Sequence, residues 1–267
     1  MAIYHLAGAK KRKNGKINFS LRRSSGLGLL KRCRIVGNLT ADTLIMKNLF
    51  EENKLYFLLL GCCALLGGIY LFFYEKPEMI YFFSAHRQEA LNTFFVYFTK
   101  MGEEAAYLLF GLFFLTKKIR HGLLVGLIGF VVMGLSFALK AYFAIDRPLA
   151  FFRKNNLLDQ VNLVPNIDLH SGASSFPSGH SMSAFALYGL LILLLPTKKR
   201  YVFPLLLMAI GVAISRVYLV QHFYVDVYAG SMIGAVVAVL FFILDKNTRL
   251  EKNHFLEKSI LDVFNKS

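Results

Sequence analysis

Charged residues are scarce in this chain of 267 amino acids. Asp, Glu, Lys and Arg make up 18% of it, whereas an ordinary soluble domain has about 25%. Hydrophobic residues, among them 26 Phe, make up 56%. The three cysteines, Cys33, Cys62 and Cys63, are too few for a disulfide framework, and no CxxC zinc pattern occurs. These shortages exclude disorder, collagen and a disulfide scaffold as the main architecture.

Acidic residues are also few, 16 against 31 Lys and Arg, which gives a net charge of +15. Such a charge by itself is compatible with nucleic-acid binding. However, 12 of the 31 basic residues precede Leu55, and most of the others form short clusters between apolar runs. That distribution is typical of a multispanning membrane protein. We therefore expect the lipid bilayer, and no nucleic acid, as a partner.

Six apolar runs approach the length of about 20 residues that a helix needs to cross a bilayer. They are Leu55–Tyr74, Phe94–Thr116, Gly122–Leu139, Ser181–Leu195, Tyr201–Ile214 and Val225–Leu244. The fourth and fifth runs reach full length only by continuing into polar sequence, backwards through Pro177–His180 and forwards through Ser215–Arg216. The sequence thus predicts an all-α, polytopic bundle of six transmembrane helices.

Basic segments indicate the orientation of this bundle. The segment before the first run, the links Lys117–Arg120 and Lys198–Arg200, and the tail from Asp245 all fall on one side if six helices cross. Basic loops mark the cytoplasmic side. We therefore expect both termini in the cytoplasm of a bacterium and the opposite helix ends at the periplasmic face of its inner membrane.

The predicted organisation is a basic, disordered extension over residues 1–50, a membrane domain over 51–247 and a cytoplasmic tail over 248–267. No apolar run in the extension is long enough for a signal peptide. Three interpretations of the extension stay open: a solvated tail, a contact with anionic lipid headgroups, and translation that begins only at Met46.

Three polar clusters fall on the predicted outer face. They are Lys140 with Arg147-Pro148, then Ser174-Ser175-Phe176-Pro177-Ser178-Gly179-His180, then Ser215-Arg216 with His222 and Asp226. Ionisable residues at a membrane boundary are costly to desolvate and are candidates for function. Because three such clusters share one face, we expect a single site at the outer interface.

The residue types in these clusters suit phosphate chemistry. Arg147 and Arg216 offer paired donors that match phosphate oxygens, and Lys140 adds a point charge. Ser178 and Gly179 are typical of a helix start, where free N–H groups favour an anion.

The two histidines of the clusters suit nucleophilic and acid–base chemistry. His222 and Asp226 lie four residues apart, so a carboxylate would orient the ring and leave its other nitrogen free to attack. His180 is suited to protonating a leaving oxygen.

The motifs K-x6-RP, PSGH and SR-x5-H-x3-D, in this order, resemble the type 2 phosphatidic acid phosphatase superfamily, which includes vanadium haloperoxidases and glucose-6-phosphatase. The resemblance covers Leu55–Leu244. It implies that Lys140, Arg147 and Arg216 bind phosphate with help from Ser178 and Gly179. It also implies a phosphohistidine at His222, orientation by Asp226, acid catalysis by His180, and neither a metal nor another cofactor.

The resemblance implies a lipid phosphomonoesterase or pyrophosphatase. Phosphatidylglycerophosphate, phosphatidate, undecaprenyl pyrophosphate and lipid A phosphate present the same group, so the sequence leaves the headgroup open. A lipid phosphotransferase and a phosphatase for a soluble ester are the alternatives. A haloperoxidase has no need for six apolar runs, and a transporter or channel does not explain the three ordered motifs.

Four further polar residues lie outside the three clusters. Lys100, Glu103 and Glu104 lie within the second run, either as a Lys100–Glu104 pair or as a polar wall of the substrate pocket. His170 lies in the predicted outer link, and we interpret it as a solvated loop residue.

Overall fold

The computed structural model describes residues 4–11, 17–23, 46–195, 198–247 and 253–264, with side chains for 46–195, 200–246 and 253–263. The chain divides into two compact units, Met1–Leu49 and Phe50–Ser267.

An antiparallel hairpin lies in the first unit and pairs Tyr4–Lys11 (β1) with Ile17–Arg23 (β2). In β2, Ile17, Phe19 and Leu21 alternate with polar residues, which is the period of a half-buried strand. These strands depart from the disorder expected for residues 1–50 and from an all-α chain. Residues 24–45 of that segment lie outside the described residues, so their disorder stays a prediction.

From Lys54 onward, the described residues form helices and connecting turns. The α-helices are α1 (Lys54–Phe73), α2 (Glu78–Ala85), α3 (Glu89–Phe98), α4 (Glu104–Leu115), α5 (Ile119–Phe143), α6 (Pro148–Lys154), α7 (Gly179–Leu194), α8 (Lys198–Tyr218), α9 (Tyr224–Asn247) and α10 (Ile260–Phe264). Single 3₁₀ turns occur at Thr99–Gly102 and Leu158–Gln160. The all-α prediction is confirmed for the described part of this unit.

Four helical segments in the described residues are long and apolar enough to cross a membrane: Lys54–Phe73, Ile119–Lys154, Arg200–Tyr218 and Tyr224–Lys246. The second of these contains both α5 and α6. The other two expected spans are shorter apolar helices, Glu104–Leu115 and Gly179–Leu194. Helix α8 continues through Ser215–Arg216, as the sequence predicts.

The expected second span, Phe94–Thr116, is not one helix. Helix α3 ends at Phe98, a 3₁₀ turn follows over Thr99–Gly102, and α4 begins at Glu104. Glu103 between them has an extended backbone, with φ −98° and ψ 178°. A glycine and three charged side chains in five residues disfavour a continuous helix in an apolar environment.

Helix α7 lies at the centre of the bundle, and every residue of it from Ala184 to Leu193 is buried. A helix that is apolar all around is stable only inside other elements. Helix α9 packs closely against α7, since a Cβ on Gly230 would lie 2.5 Å from the Ser178 carbonyl oxygen and one on Gly234 would lie 2.2 Å from that of Met182. The two glycines therefore fix the start of α9 beside the start of α7.

The C-terminal segment packs on the start of α5, the end of that helix that lies far from the polar clusters. The N–H groups of Ile119 and Arg120 donate to the carbonyl oxygens of Lys258 and Leu256, at 2.9 and 3.0 Å. The buried Arg120 guanidinium forms ion pairs with Asp245 at 3.0 Å and Glu257 at 2.8 Å. Part of the expected tail is thus an ordered cap on α5.

Candidate active site

The fold brings the three polar clusters together at one end of the bundle. The Ser178 N–H donates to the Asp226 carbonyl oxygen at 2.9 Å, which joins the second cluster to the third. The Lys140 ammonium lies 3.4 Å from the position that a Cβ on Gly179 would occupy. This contact joins the first cluster to the second. All eight residues selected from the sequence therefore lie in one connected site: Lys140, Arg147, Ser178, Gly179, His180, Arg216, His222 and Asp226.

His222 and Asp226 form the buried centre of the site, with relative exposures of 1% and 0%. The turn between α8 and α9 carries His222, and its N–H donates to the Arg216 carbonyl oxygen at 3.2 Å. Nδ1 of His222 lies 3.7 Å from Oδ2 of Asp226, which is an ion-pair distance and longer than a hydrogen bond. The carboxylate faces the ring on the side that the i, i+4 spacing predicts.

Two other donors hold the Asp226 carboxylate. Oδ2 accepts a hydrogen bond from the Ser175 hydroxyl at 2.5 Å and another from the Phe223 N–H at 2.9 Å. Ser175 is fully buried. Ser175 lies within the second polar cluster, but the sequence analysis gave it no role.

His222 lies in the turn outside the membrane-spanning segments, and its ionisation is shifted. Burial lowers the pKa of His222 to about 4. Arg216 and Arg147 also lower the pKa, while Asp226 opposes them. The imidazole is therefore neutral at neutral pH, which is the form that has a free electron pair for attack.

Two arginines lie beside this centre, and Lys140 lies at the neighbouring Gly179. The Arg147 guanidinium is fixed by the Ser174 hydroxyl at 3.2 Å and by the side-chain and backbone oxygens of Gln221 at 3.3 and 3.4 Å. Arg216 donates to the Thr99 hydroxyl at 2.8 Å, and its Nε has no hydrogen-bond partner in the described residues. Buried donors that are left unpaired favour an anionic ligand.

The start of α7 is a capped helix end. Ser178 is its N-cap, and the Ser178 oxygen accepts from the backbone N–H and the hydroxyl of Ser181 at 3.4 and 2.9 Å. The Ser178 hydroxyl is thus engaged within the helix end. The first N–H groups of any helix lack partners within it, so a phosphate at this end would be favoured.

His180 faces the carboxylate of Glu103, whose role the sequence left between two interpretations. Nε2 of His180 lies 3.3 Å from Oε1 of Glu103. Lys100 instead lies over the Tyr97 ring, 5.3 Å from its centre, and no contact between Lys100 and Glu104 is present among the described residues. Of the two interpretations left open, the geometry favours a polar pocket wall for Glu103.

Two cavities meet at this wall. The larger, of about 700 Å³, runs between α4 and α5 from Lys140 and His180 down to Gly122 and Leu115, and apolar side chains line most of it. We call it the apolar groove. The smaller, of about 210 Å³, is the polar cavity, whose lining includes Arg216, Gln221, Asp168 and His170. His170 is exposed, as the sequence predicts, although it also lines this cavity.

Sequence reasoning gave no role to three contributors, Ser175, Gln221 and Thr99, and it left Glu103 between two interpretations. Thr99 gave no signal of its own in the sequence, whereas Glu103 was noticed as a charge within an apolar run. Within the described residues, no group of three or more His, Cys, Asp or Glu side chains has the arrangement of a metal site. Metal independence stays a prediction.

Comparison with known proteins confirms the predicted resemblance. A family model described as the PAP2 superfamily matches residues 120–249. The undecaprenyl-diphosphatase BcrC of Bacillus subtilis is 23% identical over 161 residues, which are 59% of this chain and 77% of that protein. The residue range of the family model contains all eight selected site residues and begins after Thr99 and Glu103.

Two crystal structures are similar to this fold. One is Aquifex aeolicus LpxE, with a TM-score of 0.54 and 26% identity over 63% of this chain and 95% of that one. The other is a transmembrane PAP2-type phosphatidylglycerolphosphate phosphatase from Bacillus subtilis, with a TM-score of 0.53 and 28% identity over 65% of this chain and 85% of that one. The chain is thus an integral membrane protein that resembles PAP2-type lipid phosphatases.

Proposed function

We propose that this protein is a metal-independent membrane phosphatase that hydrolyses a lipid phosphomonoester or pyrophosphate through a phosphohistidine at His222. The observation that carries the proposal is that the buried His222–Asp226 pair, with Arg147 and Arg216 beside it, adjoins the Lys140–Gly179–His180 end of an apolar groove. Phosphoryl transfer depends mainly on positioning and charge stabilisation, which this arrangement supplies.

In the first step, the nitrogen of His222 that faces away from Asp226 attacks phosphorus. The bond from phosphorus to the leaving oxygen breaks as the new nitrogen–phosphorus bond forms, and His180 gives its proton to that oxygen. Lys140, Arg147 and Arg216 stabilise the charge on the transferring group. In the second step, water attacks the phosphohistidine while His180 accepts its proton, which restores both histidines.

The groove supports a lipid substrate. It runs from the site along the outer face of α4 and α5, and its lining is largely apolar with exposed side chains such as Leu108 and Phe137. An acyl or prenyl chain in the groove would place its phosphate beside Lys140 and His180. The names of two of the three similar proteins, an undecaprenyl-diphosphatase and a phosphatidylglycerolphosphate phosphatase, suggest the first lipids to test.

We propose six membrane crossings, with the site at the periplasmic face of a bacterial inner membrane. Helices α3 and α4 with the turn between them would form the second crossing, and α7 the fourth. Lys117 and Lys118 lie at the start of α5, at the opposite end of that helix from Lys140. Their charge supports a cytoplasmic position for that end.

A phosphatase for soluble esters is the second candidate, and the polar cavity beside Arg216 favours it. Phosphate release by purified protein distinguishes the two, measured with phosphatidate, phosphatidylglycerophosphate, undecaprenyl pyrophosphate, lipid A phosphate and glucose 6-phosphate. We expect release from at least one lipid, no loss with EDTA, and inhibition by vanadate in the phosphate site. Strict magnesium dependence, or release from the soluble ester alone, would contradict the proposal.

A further inference from the structure

The break in the membrane-embedded segment between α3 and α4 delivers side chains to the site. Thr99 accepts the hydrogen bond from Arg216, and Glu103 contacts His180. The intervening turn is packed against the core: the Met101 carbonyl oxygen accepts from the Tyr188 hydroxyl at 2.8 Å. A Cβ on Gly102 would lie 2.6 Å from Val212 and 3.1 Å from the His180 carbonyl oxygen. Close packing of Met101 and Gly102 therefore fixes the backbone that presents Glu103.

Glu103 and His180 separate the apolar groove from the polar cavity. Among the described residues, these are the two that line both cavities. His180 therefore faces the groove, where a lipid leaving oxygen would lie, and also the cavity, from which water would come. Glu103 contacts it at this boundary.

The charges around His180 oppose the form that it needs as an acid. Four groups act on it electrostatically, Lys140, Arg147, Arg216 and His222, and three more titratable groups share a cavity lining with it, Glu104, Asp168 and His170. Three of these are permanent or near-permanent cations, which disfavour a protonated imidazole by Coulomb repulsion. Glu103 is the carboxylate within hydrogen-bond distance of His180 among the described residues, at 3.3 Å.

We propose that Glu103 is a positioning residue that holds His180 between the two cavities and stabilises its protonated form. This inference rests on the proposed function, since it concerns the acid in that mechanism. The proton passes from His180 to the leaving oxygen as the bond to phosphorus breaks, and a proton of the attacking water returns to His180. Glu103 itself transfers no proton in either step.

The test compares an alkyl with an aryl leaving group. Nitrophenolate is a good leaving group and needs little protonation, whereas the alkoxide of a lipid monoester needs an acid. The experiment measures kcat/KM, which reports the step that expels the leaving group. The substrates are p-nitrophenyl phosphate and the phosphomonoester that the wild-type enzyme hydrolyses fastest in the lipid panel. The variants are Glu103→Gln, and Glu89→Gln as the matched control on an exposed carboxylate.

We expect Glu103→Gln to lower kcat/KM about tenfold for the lipid and less than twofold for p-nitrophenyl phosphate. The alkaline limb of the lipid profile should move to lower pH, because the protonated His180 loses its countercharge. Glu89→Gln should leave both values unchanged. Equal losses on both substrates, or an unchanged lipid rate and pH profile, would overturn the proposal.

Glu103→Asp covers the case in which the glutamine variant does not fold. Aspartate keeps the charge, so the kcat/KM of Glu103→Asp for the lipid should be higher than that of Glu103→Gln. A Glu103→Asp enzyme that folds, with the wild-type rate and pH dependence, would show that the contact geometry has no role. His222→Ala tests the proposed function separately. If His222→Ala still releases phosphate, the phosphohistidine mechanism fails whatever Glu103 does.

Discussion

Ser175 donates a hydrogen bond of 2.5 Å to Oδ2 of Asp226, which lies 51 residues further along the chain. Both side chains are fully buried. The bond fixes the carboxylate beside His222 and connects the segment before α7 to the start of α9. Orientation of His222 thus depends on a residue outside the three motifs.

We predict that Ser175→Ala lowers kcat about tenfold with little change in KM, because a hydrogen bond to a buried charge contributes roughly 1.5–3 kcal/mol. Steady-state phosphate release measures the effect. The control is Ser231→Ala, because Ser231 is also a buried serine but lies on α9 outside the site. A Ser175→Ala enzyme as fast as Ser231→Ala would show that Asp226 does not need this donor.

The buried, neutral His222 predicts a pH-dependent stability. Burial lowers its pKa to about 4 from an ordinary value near 6.5, so the unfolded chain binds the additional proton between these values. The contribution of neutral His222 to the free energy of unfolding is therefore fully present above about pH 6.5. It is lost as the pH falls through this window, by about 2 kcal/mol at pH 5.

Melting of the detergent-solubilised protein at pH 7 and pH 5 measures this effect. His222→Gln should lose less stability on acidification than the wild type, since glutamine does not titrate. His254→Gln, at an exposed histidine, should behave like the wild type. Equal acid losses in all three proteins would contradict a buried neutral His222.

The apolar groove predicts a steric effect on lipid turnover. A Cβ on Gly126 would meet nothing within 4 Å, and Gly126 lines the groove. Gly126→Leu should therefore fold normally, fill part of the groove and lower kcat/KM for a lipid at least fivefold, while p-nitrophenyl phosphate is hydrolysed as before. We base this magnitude on about 1 kcal/mol of lost chain contacts.

Gly134 provides the matched control on the same helix. It too has open space around its Cβ position, and it does not line the groove. Gly134→Leu should leave lipid hydrolysis unchanged. If both leucine variants slow the lipid equally, the groove is not the path of the lipid chain.

Cysteine labelling tests the orientation. In a variant without the native cysteines, Asn155→Cys should react with an impermeant thiol reagent added to intact cells, because Asn155 is exposed near the site. Lys117→Cys, also exposed, lies at the opposite end of α5 and should react only after lysis. The reverse pattern would place the site in the cytoplasm.

Short-range sequence patterns predicted part of the site. His222 and Asp226 are four residues apart on one turn and helix, so the spacing itself indicates that they face each other. Lys140, Arg147, His180 and Arg216 lie at the ends of apolar runs, where unusual charge is visible in the sequence. These residues indeed share one site.

The missed parts depend on contacts between distant segments. Ser175 meets Asp226 across 51 residues, and Glu103 meets His180 across 77, so neither pair has a spacing that a sequence pattern reveals. The interrupted second span was missed for another reason. Hydropathy summed over Phe94–Thr116 hides the local effect of Gly102 and its charged neighbours on the helix.

The central claim is covalent attack by His222, and the most direct measurement is to trap the phosphorylated enzyme. The wild-type enzyme and His222→Ala would each be mixed with radiolabelled lipid phosphate, quenched in alkali within one turnover and digested for mass spectrometry. We predict an alkali-stable, acid-labile phosphate on the peptide that contains His222, and no label in His222→Ala. Label on another residue, or phosphate release by His222→Ala above a few per cent of the wild-type rate, would contradict the mechanism.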